Sequence, residues 1–126
     1  VCSSVPTNDN NTNVDGANRE PTGTLGVVHT NGVNCRYSDL APGATVPMHR
    51  TTSIDLNILI QGEVILILDD GSETHLKNPG DTVIQRGTLH AWKNPGTTWA
   101  RWCSTIIDAK PVMVDGKELG NEFKNT

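Results

Sequence analysis

The sequence predicts a single domain built almost entirely from β-strands. From residue 25 onward, short runs rich in Val, Ile, Leu and Thr alternate with Gly, Pro, Asn and Asp roughly every 8 to 12 residues, which is the spacing of a β-sandwich or barrel. Twelve glycines and seven prolines without a fixed period add many turns. No segment shows the helical period of 3.6 residues. The length of 126 residues is that of one domain.

The predicted strands follow these apolar runs in chain order. They cover residues 25–30, 35–40, 54–61, 64–68, 73–76, 82–85, 89–93 and 99–107. The sequence DDGS at residues 69–72 predicts a tight hairpin turn, because glycine readily adopts the positive φ that such a turn requires. The sequence PGD at residues 79–81 predicts another turn, and residues 118–123 are expected to form one helical turn at most.

Two segments lie outside this strand pattern. Residues 1–24 are rich in Asn, Asp, Thr and Gly and have too few large apolar side chains for a core, so they are expected to form a polar arm or loop. Residues 109–126 are expected to form an extension that packs on or near the barrel of residues 25–108.

Charge and composition exclude several classes of partner. The net charge is −4 and Lys and Arg form no cluster, so neither nucleic acid nor an anionic membrane surface is an expected partner. No apolar run approaches the ~20 residues of a membrane span. The three cysteines form no CxxC pair, and their odd number suits neither a disulfide framework nor a zinc ribbon, so we expect a reduced, cytoplasmic protein.

Two segments have the spacing of a known pair of motifs. They are GATVPMHRTTSIDLNILIQG at residues 43–62 and GDTVIQRGTLHAWKN at residues 80–94. Together they resemble the two motifs of the cupin superfamily, whose members are double-stranded β-helix (jelly-roll) barrels. The first motif keeps every spacer of the family pattern, whereas the second lacks a proline and is one residue shorter between its glycines.

The resemblance also implies a site, with two departures from the family pattern. In the family, two His and a Glu of the first motif and a His of the second hold a divalent metal. His49 and His90 match two of these positions, whereas Thr51 replaces the second His and Asp55 replaces the Glu. A metal, if present, is therefore expected to be a single Fe, Mn, Zn or Ni ion held by His49, Asp55 and His90.

The residues within the two motifs are also similar to those of one branch of the superfamily. The segments PMHRTTSID at residues 47–55 and QRGTLHAWKN at residues 85–94 resemble small single-domain cupin proteins of fungal polyketide gene clusters. Some members of that branch carry an oxidoreductase label. The resemblance implies secondary metabolism as the setting but no particular reaction.

Strand alternation predicts which side chains share the barrel interior. Residues i and i+2 lie on one face of a strand, so Thr51 is expected beside His49, Asn57 beside Asp55, and Trp92 beside His90. A dry cavity favours the neutral forms of Asp and His, which is the setting of acid–base catalysis near pH 7. The simpler interpretation is that His49 and Asp55 only satisfy each other's hydrogen bonds in the core.

We therefore predict catalytic residues and a set of substrate contacts. The catalytic residues are His49, Asp55 and His90. The expected substrate-binding residues are Thr51, Asn57, Gln85, Arg86 and Trp92.

Three functions are compatible with this site. The first is a lyase or isomerase without a cofactor that acts on a small polyketide-like molecule by dehydration, isomerisation, cyclisation or decarboxylation. The second is a metal-dependent oxidoreductase with two His and one carboxylate as ligands. The third is a ligand-binding barrel without activity. The resemblance also implies a homodimer, formed by sheet-to-sheet contact or an exchanged N-terminal strand. We expect the polar arm to lie across one barrel, where it would cover exposed strand edges.

Overall fold

The structure is a computed structural model that describes residues 1–124. These residues form twelve strands, with short 3₁₀ turns before the second of them. The strands are β1 (Cys2–Ser4), β2 (Gly32–Leu40), β3 (Thr45–Arg50), β4 (Ser53–Gln61), β5 (Val64–Leu68), β6 (Glu73–Leu76), β7 (Thr82–Arg86), β8 (His90–Lys93), β9 (Ala100–Asp108), β10 (Val112–Val114), β11 (Lys117–Leu119) and β12 (Glu122–Phe123).

Ten of these strands form two five-stranded antiparallel sheets. Sheet 1 has the order β1-β2-β9-β4-β7, and sheet 2 has the order β12-β3-β8-β5-β6. The strands β10 and β11 form a separate hairpin. The sheets pack face to face, since Trp102 of sheet 1 stacks on Trp92 of sheet 2 with ring centroids 4.9 Å apart. The all-β jelly-roll fold predicted from the sequence is confirmed.

The apolar core occupies only part of the space between the sheets. The inner side chains of β4 change along the strand from Ser53, Asp55 and Asn57 to Leu59, each of them buried. On β9 the register sets Leu59 against Trp102 and Asn57 against Ser104. The buried apolar cluster therefore fills one end of the barrel, and polar side chains line the other end.

Most strands lie close to their predicted positions. The runs of alternating apolar residues in β4, β5, β7 and β9 extend within a residue or two of the predicted bounds. The hairpin between β5 and β6 turns at Gly71, whose φ of 85° is the positive value that the DG pair predicted.

Five segments differ from the sequence predictions. Residues 25–30 form a 3₁₀ turn and loop instead of a strand, and residues 118–123 form parts of β11 and β12 instead of a helical turn. Three further strands were not predicted. They are β3, whose sequence TVPMHR contains a proline, β1, which lies within the polar arm and pairs with β2, and β10, which pairs with β11 in the extension.

The chain ends lie against the edges of the two sheets. In sheet 1, β1 pairs with β2, and in sheet 2, β12 pairs with β3. The arm is also held by Arg19, which donates to the Cys2 carbonyl and to the Asp9 carboxylate. Of the extension at residues 109–126, the last two residues lie outside the described part. Within residues 1–124, no helix is both long and apolar enough to cross a membrane.

Candidate functional site

A cavity of about 600 Å³ opens at the polar end of the barrel. Both sheets and the loop before β2 contribute to its walls. Six of the residues predicted for the site line it, namely His49, Thr51, Asp55, Asn57, His90 and Trp92.

A β-bulge in β3 turns His49 toward this cavity. Val46 pairs with Trp92 and His49 pairs with His90, so three steps along β3 correspond to two steps along β8. Without the extra residue, Val46 and His49 would lie on opposite faces, since side chains alternate along a strand. With it, both line the cavity, and the His49 and His90 rings lie 4.3 Å apart between centroids.

Backbone carbonyl groups fix the tautomer of both histidines. His49 Nδ1 lies 2.8 Å from the Pro47 carbonyl oxygen, and His90 Nδ1 lies 2.9 Å from the Thr88 carbonyl oxygen. A carbonyl oxygen can only accept a hydrogen bond, so each Nδ1 carries the proton and donates it. In the neutral rings, Nε2 therefore holds the lone pair, and within residues 1–124 neither Nε2 has a hydrogen-bond partner.

Burial keeps His90 in its neutral form. It lowers the pKa of His90 to about 4, and the electrostatic interaction with His49 acts in the same direction. The hydrogen bond to Thr88 opposes this shift but does not outweigh it. At neutral pH, His90 therefore presents an uncharged imidazole.

Asp55 is held by a short chain of hydroxyl groups. Ser53 Oγ donates to Asp55 Oδ1 at 2.7 Å, and Thr51 Oγ1 lies 2.8 Å from Ser53 Oγ. Burial raises the pKa of the Asp55 carboxyl, whereas the Ser53 hydrogen bond and the electrostatic interaction with His49 oppose the increase. Thr51, which replaces a family histidine, thus supports the carboxyl through Ser53.

Several residues at or beside the cavity were not predicted from the sequence, among them Ser53, Ser104 and Phe123. Ser53 lies two residues before Asp55, so strand alternation could have identified it. Ser104 of β9 donates to Asn57 Oδ1 at 2.7 Å, and it could have been found from the inward-facing Trp102 two residues earlier. Phe123 of β12 lines the cavity with its ring 6.3 Å from that of His49, and no sequence signal placed it there.

Two predicted substrate contacts lie away from the cavity. Gln85 is buried beside Asp55 in the sheet, but its Nε2 donates to the carbonyl oxygen and the hydroxyl of Thr88. Arg86 lies one residue further along β7 and therefore faces outward, where it lines a separate outer pocket of about 320 Å³. Neither of these two predicted substrate contacts lines the cavity.

Two other motif residues, Asn94 and Gly62, hold the barrel backbone in its conformation. Asn94 is fully buried, and its Nδ2 donates to the carbonyl oxygens of Leu40 and Thr98. Gly62 has a φ of 74°, and a Cβ there would come within 2.6 Å of the Trp99 carbonyl oxygen. These residues shape the barrel and take no part in its chemistry.

The donor set of the cavity does not suit the three-ligand metal centre implied by the resemblance. Among residues 1–124, no three His, Cys, Asp or Glu side chains lie close enough together to hold a metal ion. The two imidazoles are adjacent, but Thr51 is a poor third ligand and Asp55 is bound by Ser53.

The fold and these motifs define a cupin barrel. The family model described as "Cupin domain" matches residues 36–107, and the chain belongs to this family.

The chain is also similar to cupin proteins encoded in fungal biosynthesis clusters. Phomopsin biosynthesis cluster protein D of Diaporthe leptostromiformis is 43% identical over 96 residues, which are 75% of this chain and 50% of that protein. Oryzines biosynthesis cluster protein J of Aspergillus oryzae is 44% identical over 93 residues, or 73% of this chain and 51% of that protein. A cupin-domain-containing oxidoreductase of Hypocrea virens is 41% identical over 88 residues, or 68% and 45%. The chain spans about half the length of these relatives.

Solved cupin structures share the barrel. A Cupin 2 conserved barrel domain protein from Salinispora arenicola superposes with a TM-score of 0.55 at 23% identity, over 61% of this chain and 64% of that one. An oxalate oxidase structure gives a TM-score of 0.54 at 26% identity, over 64% of this chain and 44% of that one.

Proposed function

We propose that this chain is a small-molecule enzyme of secondary metabolism that works by proton transfer in the barrel cavity. The observation that carries the proposal is the pair of imidazoles with Nδ1 fixed by backbone carbonyls, beside a buried carboxyl group. The similarity to proteins of fungal biosynthesis clusters supports secondary metabolism as the setting.

The neutral His90 is available as the proton acceptor, and its low pKa makes it a weak base that passes the proton on readily. Its Nε2 holds a lone pair at neutral pH because burial disfavours the imidazolium form. An acidic C–H or O–H bond of a bound substrate would give its proton to this nitrogen. Proton transfer to a positioned side chain contributes about 100- to 10,000-fold to a rate.

Asp55 is suited to act as the acid. Burial raises its pKa, so the protonated carboxyl persists to higher pH than in an exposed aspartate. It would give its proton to a leaving hydroxyl or a carbonyl oxygen as His90 takes one. In a dehydration, the C–H proton goes to His90, the hydroxyl leaves as water with the Asp55 proton, and a C=C bond forms. His49 interacts electrostatically with both groups, and we assign to it the return of the proton from His90 to Asp55.

The walls of the cavity suit a polyketide-like substrate. Trp92, Trp102 and Phe123 supply flat apolar surface, and Asn57 and Ser104 supply hydrogen-bonding groups. A molecule with oxygen on alternate carbons of an apolar skeleton matches this mixture. Dehydration, isomerisation, cyclisation and decarboxylation of such a molecule all begin with the proton transfers described above.

Deuterium exchange tests the base without knowledge of the natural substrate. A panel of β-hydroxyketones and 1,3-diketones in D₂O is followed by NMR for loss of the α-proton. We expect the protein to accelerate exchange in at least one member. His49→Gln and His90→Gln should each lower that acceleration by about 100-fold or more, because each removes an imidazole nitrogen from the cavity.

A matched control is available outside the cavity. His75 lies on β6 with its Nε2 3.3 Å from Glu63, so His75→Gln removes an imidazole without touching the site. It should keep the wild-type exchange rate, and a metal chelator should leave that rate unchanged. Exchange that persists at the wild-type rate in both cavity variants would contradict the proposal, and ligand binding without exchange would favour a binding barrel.

A metal-dependent oxidoreductase is the second candidate. It is favoured by the oxidoreductase name of a relative and by the two adjacent imidazoles, whose Nδ1 hydrogen bonds leave Nε2 available to a metal. The metal centre is disfavoured because residues 1–124 provide no third ligand close to the two imidazoles. Elemental analysis of the purified protein separates the candidates, since one Fe, Mn, Zn or Ni per chain, lost in His49→Gln, would favour this one.

A further inference from the structure

Two cysteines lie together on the outer face of sheet 1. Cys35 belongs to β2 and Cys103 to β9, and these strands are paired neighbours. Cys35 lies opposite Thr105 and Cys103 lies opposite Tyr37, so the two cysteines are diagonal neighbours on one face. Their Sγ atoms are 3.8 Å apart.

The two thiols differ in surroundings. Cys35 is exposed, and the Thr105 hydroxyl donates to its sulfur at 3.9 Å. Cys103 is partly buried, and burial raises the pKa of its thiol. Cys35 is therefore the thiol that meets a reagent in solution first, with Cys103 placed to react second.

We propose that Cys35 and Cys103 form a reversible intramolecular disulfide by exchange with a small-molecule disulfide of the glutathione type. The Cys35 thiolate attacks the reagent, a mixed disulfide forms and one thiolate of the reagent leaves. The Cys103 thiol then loses its proton to water and attacks Cys35 Sγ, which releases the second half of the reagent as a thiol. Two protein thiols are oxidised and one small disulfide is reduced to two thiols.

The two sulfur atoms must move closer together for the bond to form. A disulfide bond is about 2.05 Å long, so the sulfurs must approach by roughly 1.8 Å. The bond would tie β2 to β9 directly behind the cavity wall, since Trp102 and Ser104 flank Cys103 and face the cavity.

Mass spectrometry tests the proposal on the native protein. Incubation with oxidised glutathione should remove two of the three free thiols and two hydrogen atoms from the mass, with no adduct retained. Digestion should yield one peptide pair that joins Cys35 to Cys103, and a dithiol reductant should separate it. Cys2 is buried and serves as the internal reference that stays reduced.

Single variants separate a pair from two independent thiols. Cys103→Ser should accumulate a stable glutathione adduct at Cys35, because the second thiol is missing. Cys35→Ser should react far more slowly at Cys103, and Cys2→Ser should form the cross-link as the wild type does. A stable adduct on the wild-type Cys35, a disulfide between two chains, or no reaction at Cys35 would each overturn the proposal.

Discussion

At the scale of single residues, the two cavity histidines share one local arrangement. Each donates from Nδ1 to the carbonyl oxygen two residues before it, at Pro47 for His49 and at Thr88 for His90. Because β3 and β8 are paired, this repeated contact directs two rings to one place, 4.3 Å apart. Two imidazolium ions at that distance would repel each other, and the low pKa of His90 is the consequence of burial together with this neighbour.

The shifted histidine should make stability depend on pH. The pKa of His90 is about 4 in the folded protein and about 6.5 in an unfolded chain. Between pH 4 and pH 6.5, His90 is protonated in the unfolded chain but not in the folded protein. The free energy of unfolding therefore falls as the pH drops from 6.5 toward 4. Linkage gives a loss of about 2 kcal/mol for this group between pH 7 and pH 5.

Urea unfolding of the wild type and of His90→Gln isolates this contribution. The variant lacks the titrating ring, so the difference between the two free energies of unfolding should change by about 2 kcal/mol between pH 7 and pH 5. Asp55 titrates in the opposite sense and is present in both proteins, so it cancels in the difference. A difference that does not change with pH would mean that His90 titrates normally.

The sequence predicts which residues lie in the site better than it predicts their chemistry. The motif spacing located His49, Asp55 and His90, and alternation placed Asn57 and Trp92 beside them. The tautomers of His49 and His90 depend on the directions of the Pro47 and Thr88 carbonyl groups, and the pattern of side chains does not predict these directions. The outward orientation of Arg86 could not be predicted, because the sequence alone does not define the strand register next to the glycine turn at Gly87.

At the scale of elements, alternation identified strands only where one face is buried. The sequence of β4 alternates cleanly, because its inner residues are polar as far as Asn57 and its outer residues are apolar. The bulge in β3 breaks that alternation between Val46 and His49, and Pro47 adds a further interruption. β1 and β12 are short edge strands defined by backbone pairing with β2 and β3, which composition does not encode.

Strand β12 protects the edge of sheet 2 beside the site. It pairs with β3 at His49 and Arg50, the Lys124 amide donates to the Met48 carbonyl, and Asn121 accepts from Thr52. A chain that ends at Gly120 loses all of these contacts. We expect hydrogen exchange of the β3 amides to accelerate by at least ten-fold, because an uncovered edge opens more easily.

Exchange mass spectrometry on peptides from β3 measures this effect. A chain that ends at Lys124 keeps β12 and is the matched control. The β5–β6 hairpin at the far edge of sheet 2 should exchange equally in both chains. Unchanged protection of β3 in the shorter chain would show that β12 contributes no cover.

At the scale of the whole molecule, the outer face of sheet 1 carries several exposed isoleucines. Ile54 and Ile58 of β4 and Ile84 of β7 lie on this face, and Ile84 is 58% exposed. Apolar side chains that are contiguous on a sheet commonly mark an interface. We propose that the homodimer expected from the sequence forms through these three isoleucines, which we call the isoleucine patch, and that Cys35 on β2, two strands away from β4, stays outside the contact.

A single charge should separate such a dimer. Ile84→Lys places an ammonium group at the centre of the isoleucine patch, where a second copy would bury it without a partner, so we expect a monomer in light scattering at concentrations where the wild type is dimeric. Met113→Lys, at a similarly exposed position on β10, should leave the dimer intact.

A chain that begins at Leu25 should also remain dimeric, because β1 lies at the edge of sheet 1 opposite to β7. A wild type that is monomeric at every concentration would contradict the dimer. Loss of the dimer in the Leu25 chain alone would instead assign the contact to the N-terminal arm.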